Sequence, residues 1–390
     1  MKTVARLLLP CTLLLSFIGA SSHARDVHYS TYHDYRIVPV VDGLVRPWSM
    51  AFLPGGDMLV TEQPGRLRIV REGRLLERPV SGVPEVFYKG QGGLLDVVLH
   101  PDFASNRLVY LSYAKPLADE ESTTAVVRGR YADGALSEVE EIFVAQSRGR
   151  GHYGSRLAFD DKGYLFISIG DRQVPPTGDL SAHPAQQLAD HHGVIIRLHD
   201  DGRVPADNPF LDHPQALPET WSYGHRNAQG MVIDGSDGTL WITEHGPQGG
   251  DELNRIQKGA NYGWPVIGYG VNYGKGTTIH ATTHADGMEQ PVKVWVPSIG
   301  TSGLTLYTGD AFPKWRGYLL AGGLSGQELT LLGLQDGKVV HEETLARDIG
   351  RLRDVREGPD GYIYLAVDDR SAEPSGIVRM EPVPIAQRME

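Results

Sequence analysis

One pattern recurs six times along the chain: a short apolar strand, a turn rich in Asp, Gly or Pro, and a second strand of β-branched or aromatic residues. The units are AFLPGGDMLVTE from Ala51 to Glu62, Val97 to Ser112 around HPDFASNRLVYLS, and LAFDDKGYLFISIGD from Leu157 to Asp171. They continue as MVIDGSDGTLWITE from Met231 to Glu244, Leu304 to Leu324 around YTGDAFPKWRGYLLAGGL, and VREGPDGYIYLAVD from Val355 to Asp368. Their starts lie 46, 60, 74, 73 and 51 residues apart. Asp-Gly and its equivalents suit the left-handed positions of hairpin turns, and the flanking residues alternate as strands do. No unit can bury both faces of its own small sheet. A closed ring of four-stranded antiparallel sheets solves that problem, so the pattern predicts an all-β, six-bladed β-propeller. A sandwich is too small for this many strands, and a βαβ fold lacks its helices; two stacked β domains are the plainer alternative. The two long spacings locate insertions at roughly Arg172 to Glu219 and Asn261 to Val296, expected as loops on one face of the ring. Pro184 to Asp190 is at most one short helix.

Composition agrees with a turn-rich globular chain. The 47 glycines and 25 prolines are scattered among apolar segments rather than gathered in a tract. The formal charge is −11, with no Lys/Arg-rich run, which excludes nucleic-acid binding. At the N-terminus, Lys2 and Arg6 precede an apolar stretch from Leu7 to Ala20, and Ser22-His23-Ala24 fits a signal-peptidase site. Residues 1–24 therefore read as a secretory signal peptide, leaving 25–390 as one propeller domain, exported to the periplasm in a bacterium. The apolar stretch spans roughly 21 Å as a helix, short of the roughly 30 Å bilayer core, so no stable membrane anchor is expected. Cys11 is the only cysteine and lies inside this segment. Its loss excludes disulfides, thiolate metal sites and cysteine nucleophiles; lipid attachment at Cys11 is the weaker alternative, because Pro10 precedes it.

Polar residues that could carry chemistry cluster between the units. His152 sits in Gly151-His152-Tyr153-Gly154 just before a strand, where an imidazole can reach a cavity and take a proton near neutral pH. Asp171 closes the strand pair that follows, and an antiparallel return could bring its carboxylate to that ring; a surface histidine, one of 15, is the bland alternative. Arg226, Arg351 and Arg353 are candidates for a carboxylate or phosphate clamp, with structural salt bridges as the competing role. Glu244-His245-Gly246-Pro247 lacks the two-histidine helical spacing of a zinc protease. Calcium suits its backbone carbonyls, with Asp251 and Glu252 nearby. His183, His191, His192 and His199 read as loop histidines. No Gly-rich nucleotide fingerprint opens a helix and no Gly-x-Ser-x-Gly elbow is present, which argues against NAD, ATP and a serine hydrolase.

Taken together, GQGGLLDVV, HPDF, GHYGSRLAFD, DNPF, WSYGHRNAQGM, EHGPQGGDELN, KGANYGWP and RLRDVREGPDGYIY, in that order over about residues 35 to 380, resemble the soluble quinoprotein sugar dehydrogenases, the family of aldose sugar dehydrogenases and soluble glucose dehydrogenase. The resemblance implies a six-bladed propeller that oxidises aldoses at C1 to lactones, using pyrroloquinoline quinone (PQQ) and Ca²⁺ and passing electrons to an external acceptor such as a cytochrome or the quinone pool. By the same resemblance His152 matches the general base and Asp171 its orienting partner. Arg226 matches a residue beside the reacting carbonyl, Gln91 and Asn227 match polar cofactor contacts, and Arg351 and Arg353 match cofactor-binding arginines. The carbonyls of Gly246 and Pro247 match the catalytic Ca²⁺ pair, and Glu252 and Tyr262 a second, structural calcium. Ser325 departs from the pattern, standing where better-known members carry a lysine. The alternatives are a calcium-dependent propeller lactonase, which needs an acidic metal cage, and a non-catalytic sugar- or protein-binding propeller.

Overall fold

A computed structural model describes residues 26–371 and 373–384; the signal-peptide assignment and Cys11 lie outside them. Six four-stranded antiparallel sheets form a ring, a six-bladed β-propeller. The innermost strands are Pro47–Phe52, Leu94–Leu99, Leu157–Phe159, Ala228–Ile233, Thr301–Leu306 and Arg351–Glu357. Each touches the next, and the last returns to the first. The ring is closed by the chain's own beginning: Tyr35–Val45 pairs antiparallel with Pro374–Pro382 as the outer strand of the sixth blade.

Strand alternation explains why the ring holds. In Tyr164–Ile169, the second strand of the third blade, Leu165, Ile167 and Ile169 pack into the cluster shared with the second blade, while Phe166 points into the cluster shared with the fourth. The same division gives six apolar clusters, one per blade interface. Burying each such side chain contributes about 1.5–3 kcal/mol, which an isolated sheet forgoes on one face. Among the described residues no helix is long and apolar enough to cross a membrane.

The two insertions are not pure loops. Arg172 to Glu219 contains Val194–His199, the third strand of its blade, and Asn261 to Val296 contains Lys293–Trp295, the fourth strand of the next. Their apolar content completes the sheets; only the remainder reaches the ring's face. Pro184–Gln186 is one short 3₁₀ turn.

Irregularities in the innermost strands decide what faces the ring's cavity. Pairing skips a residue at Trp48, at Gln229 and at Arg353, and slips again between Leu94 and Val97. A bulge re-aims the side chain of the extra residue. Trp48, Leu95, Gln229 and Arg353 all end on the cavity wall.

Candidate active site

At this end of the ring lies a cavity of about 680 Å³, bordered by the crossovers between blades and the two insertions. Gln91, His152, Asp171, Arg226, Asn227, Pro247, Arg351 and Arg353 all line it. They come from six different blade connections or strand ends, so the ring assembles what the sequence keeps apart.

His152 and Asp171 form the tightest element. His152 Nδ1 lies 2.6 Å from Asp171 Oδ1, and Asp171 Oδ2 accepts from Trp264 Nε1 at 2.8 Å. The Gln173 amide also donates to Asp171, at 2.9 Å. His152 has φ of 41°, a left-handed conformation unusual for a non-glycine residue, and its amide donates to Gln91 Oε1 at 2.7 Å. The return strand passes so close that a Cβ on Gly170 would stand 2.1 Å from the His152 carbonyl oxygen; only glycine fits. Arg172 closes the loop from behind, donating to the carbonyls of His152, Ser122 and Gly149 while stacked on Tyr153.

Burial lowers the His152 pKa, assisted by Arg226 and Arg172 and opposed by Asp171. Burial opposes ionisation of Asp171 too, but His152, Arg226 and the Gln173 amide outweigh it and hold its pKa below the usual carboxylate value. An ionised Asp171 fixes the imidazole proton on Nδ1, leaving Nε2 as a neutral base. His245, also on the wall, is pushed down to about 4 by burial, with Arg226, His152 and Arg353 adding repulsion.

Arg226 is tied to the His152–Asp171 element, its carbonyl accepting from the Asp171 amide at 2.8 Å. Its amide donates to Glu244 Oε2 at 2.7 Å, and its Nη1 donates to the carbonyls of His245 and Gly246 at 3.2 and 2.7 Å. Its guanidinium lies 5.2 Å from the Trp264 ring centre, so one tryptophan touches both Asp171 and Arg226. Asn227 Oδ1 accepts from the Gly154 amide at 3.0 Å, tying its crossover to the His152 loop.

The four residues matched to metals lie near one another. Gly246, Pro247, Glu252 and Tyr262 all border one small void of about 20 Å³ beside the main cavity, and Pro247 borders both. Glu252 stands opposite Glu244 in the strand register, with Asn254 Nδ2 donating to both carboxylates at 3.0 and 2.9 Å. Burial, then Glu244 and Asp251, raise the Glu252 pKa to about 8. The Tyr262 hydroxyl donates to the Arg255 carbonyl and accepts from the Gln257 amide, so its side chain is already engaged. Asp251 accepts from the Gly246, Gly300 and Thr301 amides, which makes it a loop fastener. Ser325 is exposed and donates to the Ser298 carbonyl, placing no charge on the wall. His191, His192 and His183 pair with Glu219, Asp190 and the Val174 carbonyl respectively. Among the described residues no three His, Cys, Asp or Glu side chains converge on a metal position.

Several lining residues had no assigned role in the sequence. Trp264, Trp48, Gln229 and His245 are among them, as are Arg46 and Arg370. A tryptophan beside Pro in the KGANYGWP segment offered a signal for Trp264, but its partner Asp171 is 93 residues away.

Comparison with known proteins now adds the lineage. Residues 44–379 match the glucose/sorbosone dehydrogenase family model. The chain belongs to that family. It is 43% identical over 339 residues to the aldose sugar dehydrogenase YliI of Escherichia coli, covering 85% of this chain and 90% of that protein. A crystal structure of a glucose dehydrogenase superposes with a TM-score of 0.83 at 43% identity, covering 89% of this chain and 99% of the other. The PQQ-bound form of an aldose sugar dehydrogenase from Streptomyces coelicolor superposes with a TM-score of 0.73 at 27% identity, covering 90% and 98%. The expected sugar-dehydrogenase family and propeller fold are thereby established.

Proposed function

We propose that this member is a PQQ-dependent aldose dehydrogenase, oxidising the anomeric carbon of an aldose to a lactone. The observation that carries the reading is the meeting, in one cavity, of the buried His152–Asp171 pair and an excess of arginines. Bound there, PQQ supplies a two-electron acceptor for the hydride leaving C1. The residues present fit such a ligand. Arg226, Arg351 and Arg353 line a wall suited to carboxylates, and Arg351 Nε is buried with no hydrogen bond, 3.6 Å from Asp368 Oδ2.

In this reading His152 Nε2 removes the proton from the anomeric hydroxyl, and Asp171 holds the imidazole in orientation and stabilises its charge once protonated. Arg226 lines the same cavity, where its guanidinium can stabilise negative charge that develops near the base. Gln91 and Asn227 fix the backbone of the His152 loop and present amides to the same space. Calcium would be held at the small void by the Gly246 and Pro247 carbonyls together with Glu252, whose carboxyl, pushed up to about 8 by burial beside Glu244, would give up its proton to the cation. A cation at the Gly246 carbonyl competes with Arg226 for that oxygen. Export to a periplasm and electron delivery to a cytochrome or quinone complete the proposal.

The lactonase alternative requires a cage of acidic side chains; the arginine-lined wall has the opposite character. The test is reconstitution of purified protein with PQQ and Ca²⁺, followed by a panel of aldoses and a redox dye. Dye reduction dependent on both quinone and sugar is expected. Absence of reduction across the panel overturns the reading, and lactone hydrolysis without quinone replaces it with the alternative.

A further inference from the structure

Five guanidinium groups border the main cavity, those of Arg46, Arg226, Arg351, Arg353 and Arg370, whereas Asp171 is the one carboxylate among its lining residues. Asp171 is already committed to His152 and Trp264. Just behind the wall lies Asp368, whose side chain is buried. It faces Arg46 Nε at 3.3 Å, Arg351 Nε at 3.6 Å and Arg353 Nη2 at 4.0 Å. One carboxylate cannot neutralise three cations, and a partly buried excess of this kind attracts a polyanion. Crowding shows in the acidities: burial, then repulsion among Arg351, Arg156 and Arg46, outweighs Asp368 and brings Arg353 down to about 10.

Arg46 occupies a particular place in this group. It is the one residue between the ring-closing strand Tyr35–Val45 and the first inner strand Pro47–Phe52, and it turns there with φ of 50°. That left-handed turn carries its side chain across the seam to the sixth blade, where it meets Asp368. Arg370 lies two residues beyond Asp368, exposed at the rim.

We propose that Arg46 and Arg370 form the outer half of a carboxylate clamp whose inner half is Arg351 and Arg353, so that an aromatic polycarboxylate is gripped across the seam that closes the ring. The clamp rests on the cofactor reading above, with PQQ as the natural occupant. Guanidinium forks match carboxylates in shape as well as charge. An occupant held from both sides of the seam ties the first blade to the sixth, and so stabilises the closed ring as well as filling the cavity.

The experiment measures binding to the full protein, by titration calorimetry and by thermal melting, of two probes: PQQ, and benzene-1,3,5-tricarboxylate, which has the carboxylates without the quinone. Arg46→Ala is expected to weaken both by about tenfold or more, Arg370→Ala by less, and Arg46→Lys to recover part of the loss. Asp368→Asn breaks the same ion pair while leaving the guanidinium free, so its affinity is expected to hold or rise. Unchanged affinity in Arg46→Ala overturns the clamp. So does a loss in Asp368→Asn equal to that in Arg46→Ala, because Arg46 would then act only as a strut. If Arg46→Ala does not fold, unchanged affinity in both Arg46→Lys and Arg370→Ala overturns it instead. Arg46-dependent uptake of the tricarboxylate without uptake of PQQ keeps the clamp and removes the cofactor reading. PQQ uptake indifferent to Arg46 does the reverse, and a wild-type protein that binds neither probe overturns the clamp.

Discussion

Two clusters of buried arginine and aspartate lie side by side in this propeller, and they are built on opposite principles. At the ring's axis, Arg156 and Arg356 meet Asp96 and Asp354. Arg156 Nη1 is 3.3 Å from Asp96 and 2.9 Å from Asp354, and Arg356 is 3.1 and 3.0 Å from the same two carboxylates. The carboxylates also accept from the amides of Leu157 and Met50, so the inner strands of four blades are joined through one balanced set of charges. On the cavity wall, Arg46, Arg351 and Arg353 share Asp368 alone. The two clusters almost touch: Arg156 Nη2 donates to the Arg353 carbonyl, and Trp48 carries Arg156 over its ring at 4.2 Å and Arg353 at 5.9 Å. Yet the acidities diverge. Asp354 and Asp96 overcome burial to raise the Arg356 pKa, whereas burial and like-charged neighbours lower those of Arg351 and Arg353. A balanced cluster suits a fold's interior; an unbalanced one suits an anionic ligand.

The largest effect should come from unbalancing the axis. Arg156 is 1% exposed, and Arg156→Met leaves two carboxylates facing one guanidinium. Breaking a buried ion pair in this way costs about 3–5 kcal/mol, to be read by denaturant unfolding of the ligand-free protein. A loss below about 1 kcal/mol would remove the distinction between the two clusters. His152→Ala should act in the other currency: turnover by the reconstituted enzyme falls about 10²–10⁴-fold with quinone still bound. Retained turnover places the base elsewhere.

What the sequence made legible follows the same division. The hairpin units, with Asp-Gly turns between alternating apolar residues, announced six sheets, because both faces of strands such as YLFISI must be buried. His152, Asp171, Arg226 and the Arg351–Arg353 pair were reachable as residue types in polar inter-strand segments, and the ring does bring them to one cavity. The bulges were not legible. One extra residue at Trp48, Gln229 or Arg353 leaves the pattern of apolar positions almost unchanged, yet it decides which side chain reaches the wall. Nothing in the sequence marks Arg46; only the seam sets it against Asp368. The axis did leave a trace: Asp96 interrupts the apolar run LLDVVL, and a charge there calls for a buried partner. Naming Arg156 as that partner required the three-dimensional ring.

Trp264 offers a finer test at the boundary between structure and chemistry. Its Nε1 donates to Asp171 Oδ2 at 2.8 Å, leaving Oδ1 for His152, so we treat it as a positioning residue. Trp264→Phe keeps an aromatic ring and deletes that donor. A hydrogen bond to an ionised carboxylate contributes about 1.5–3 kcal/mol, so kcat/KM should fall about tenfold or somewhat more. In the wild type, burial lowers the His152 pKa from its ordinary 6.5. The neutral base therefore persists below that value, and the acid limb of kcat/KM should lie below pH 6.5. Without the Trp264 donor, Asp171 carries more of its charge toward His152 and favours the imidazolium. The acid limb should then move to higher pH. A drop in rate with the limb unmoved would make Trp264 packing alone.

The smallest effect is the one that most sharpens the contrast. Arg351 Nε is buried without a hydrogen-bond partner, and burial, then Arg370, disfavours its charge. In the ligand-free protein Arg351→Met removes that charge while Arg46 and Arg353 continue to neutralise Asp368. Its Nη1 contact with the Leu324 carbonyl, at 3.1 Å, and its approach to Asp368, at 3.6 Å, are the interactions lost. Relief of repulsion offsets that loss, so the unfolding free energy should change by no more than about 1 kcal/mol, toward greater stability. Affinity for PQQ or the tricarboxylate should drop in the same variant. The same chemical change, arginine to methionine, thus weakens the fold at the axis and weakens binding at the wall. Were Arg351→Met to destabilise the empty protein as much as Arg156→Met, the wall arginines would be struts, and the excess positive charge would lose its meaning as a binding site.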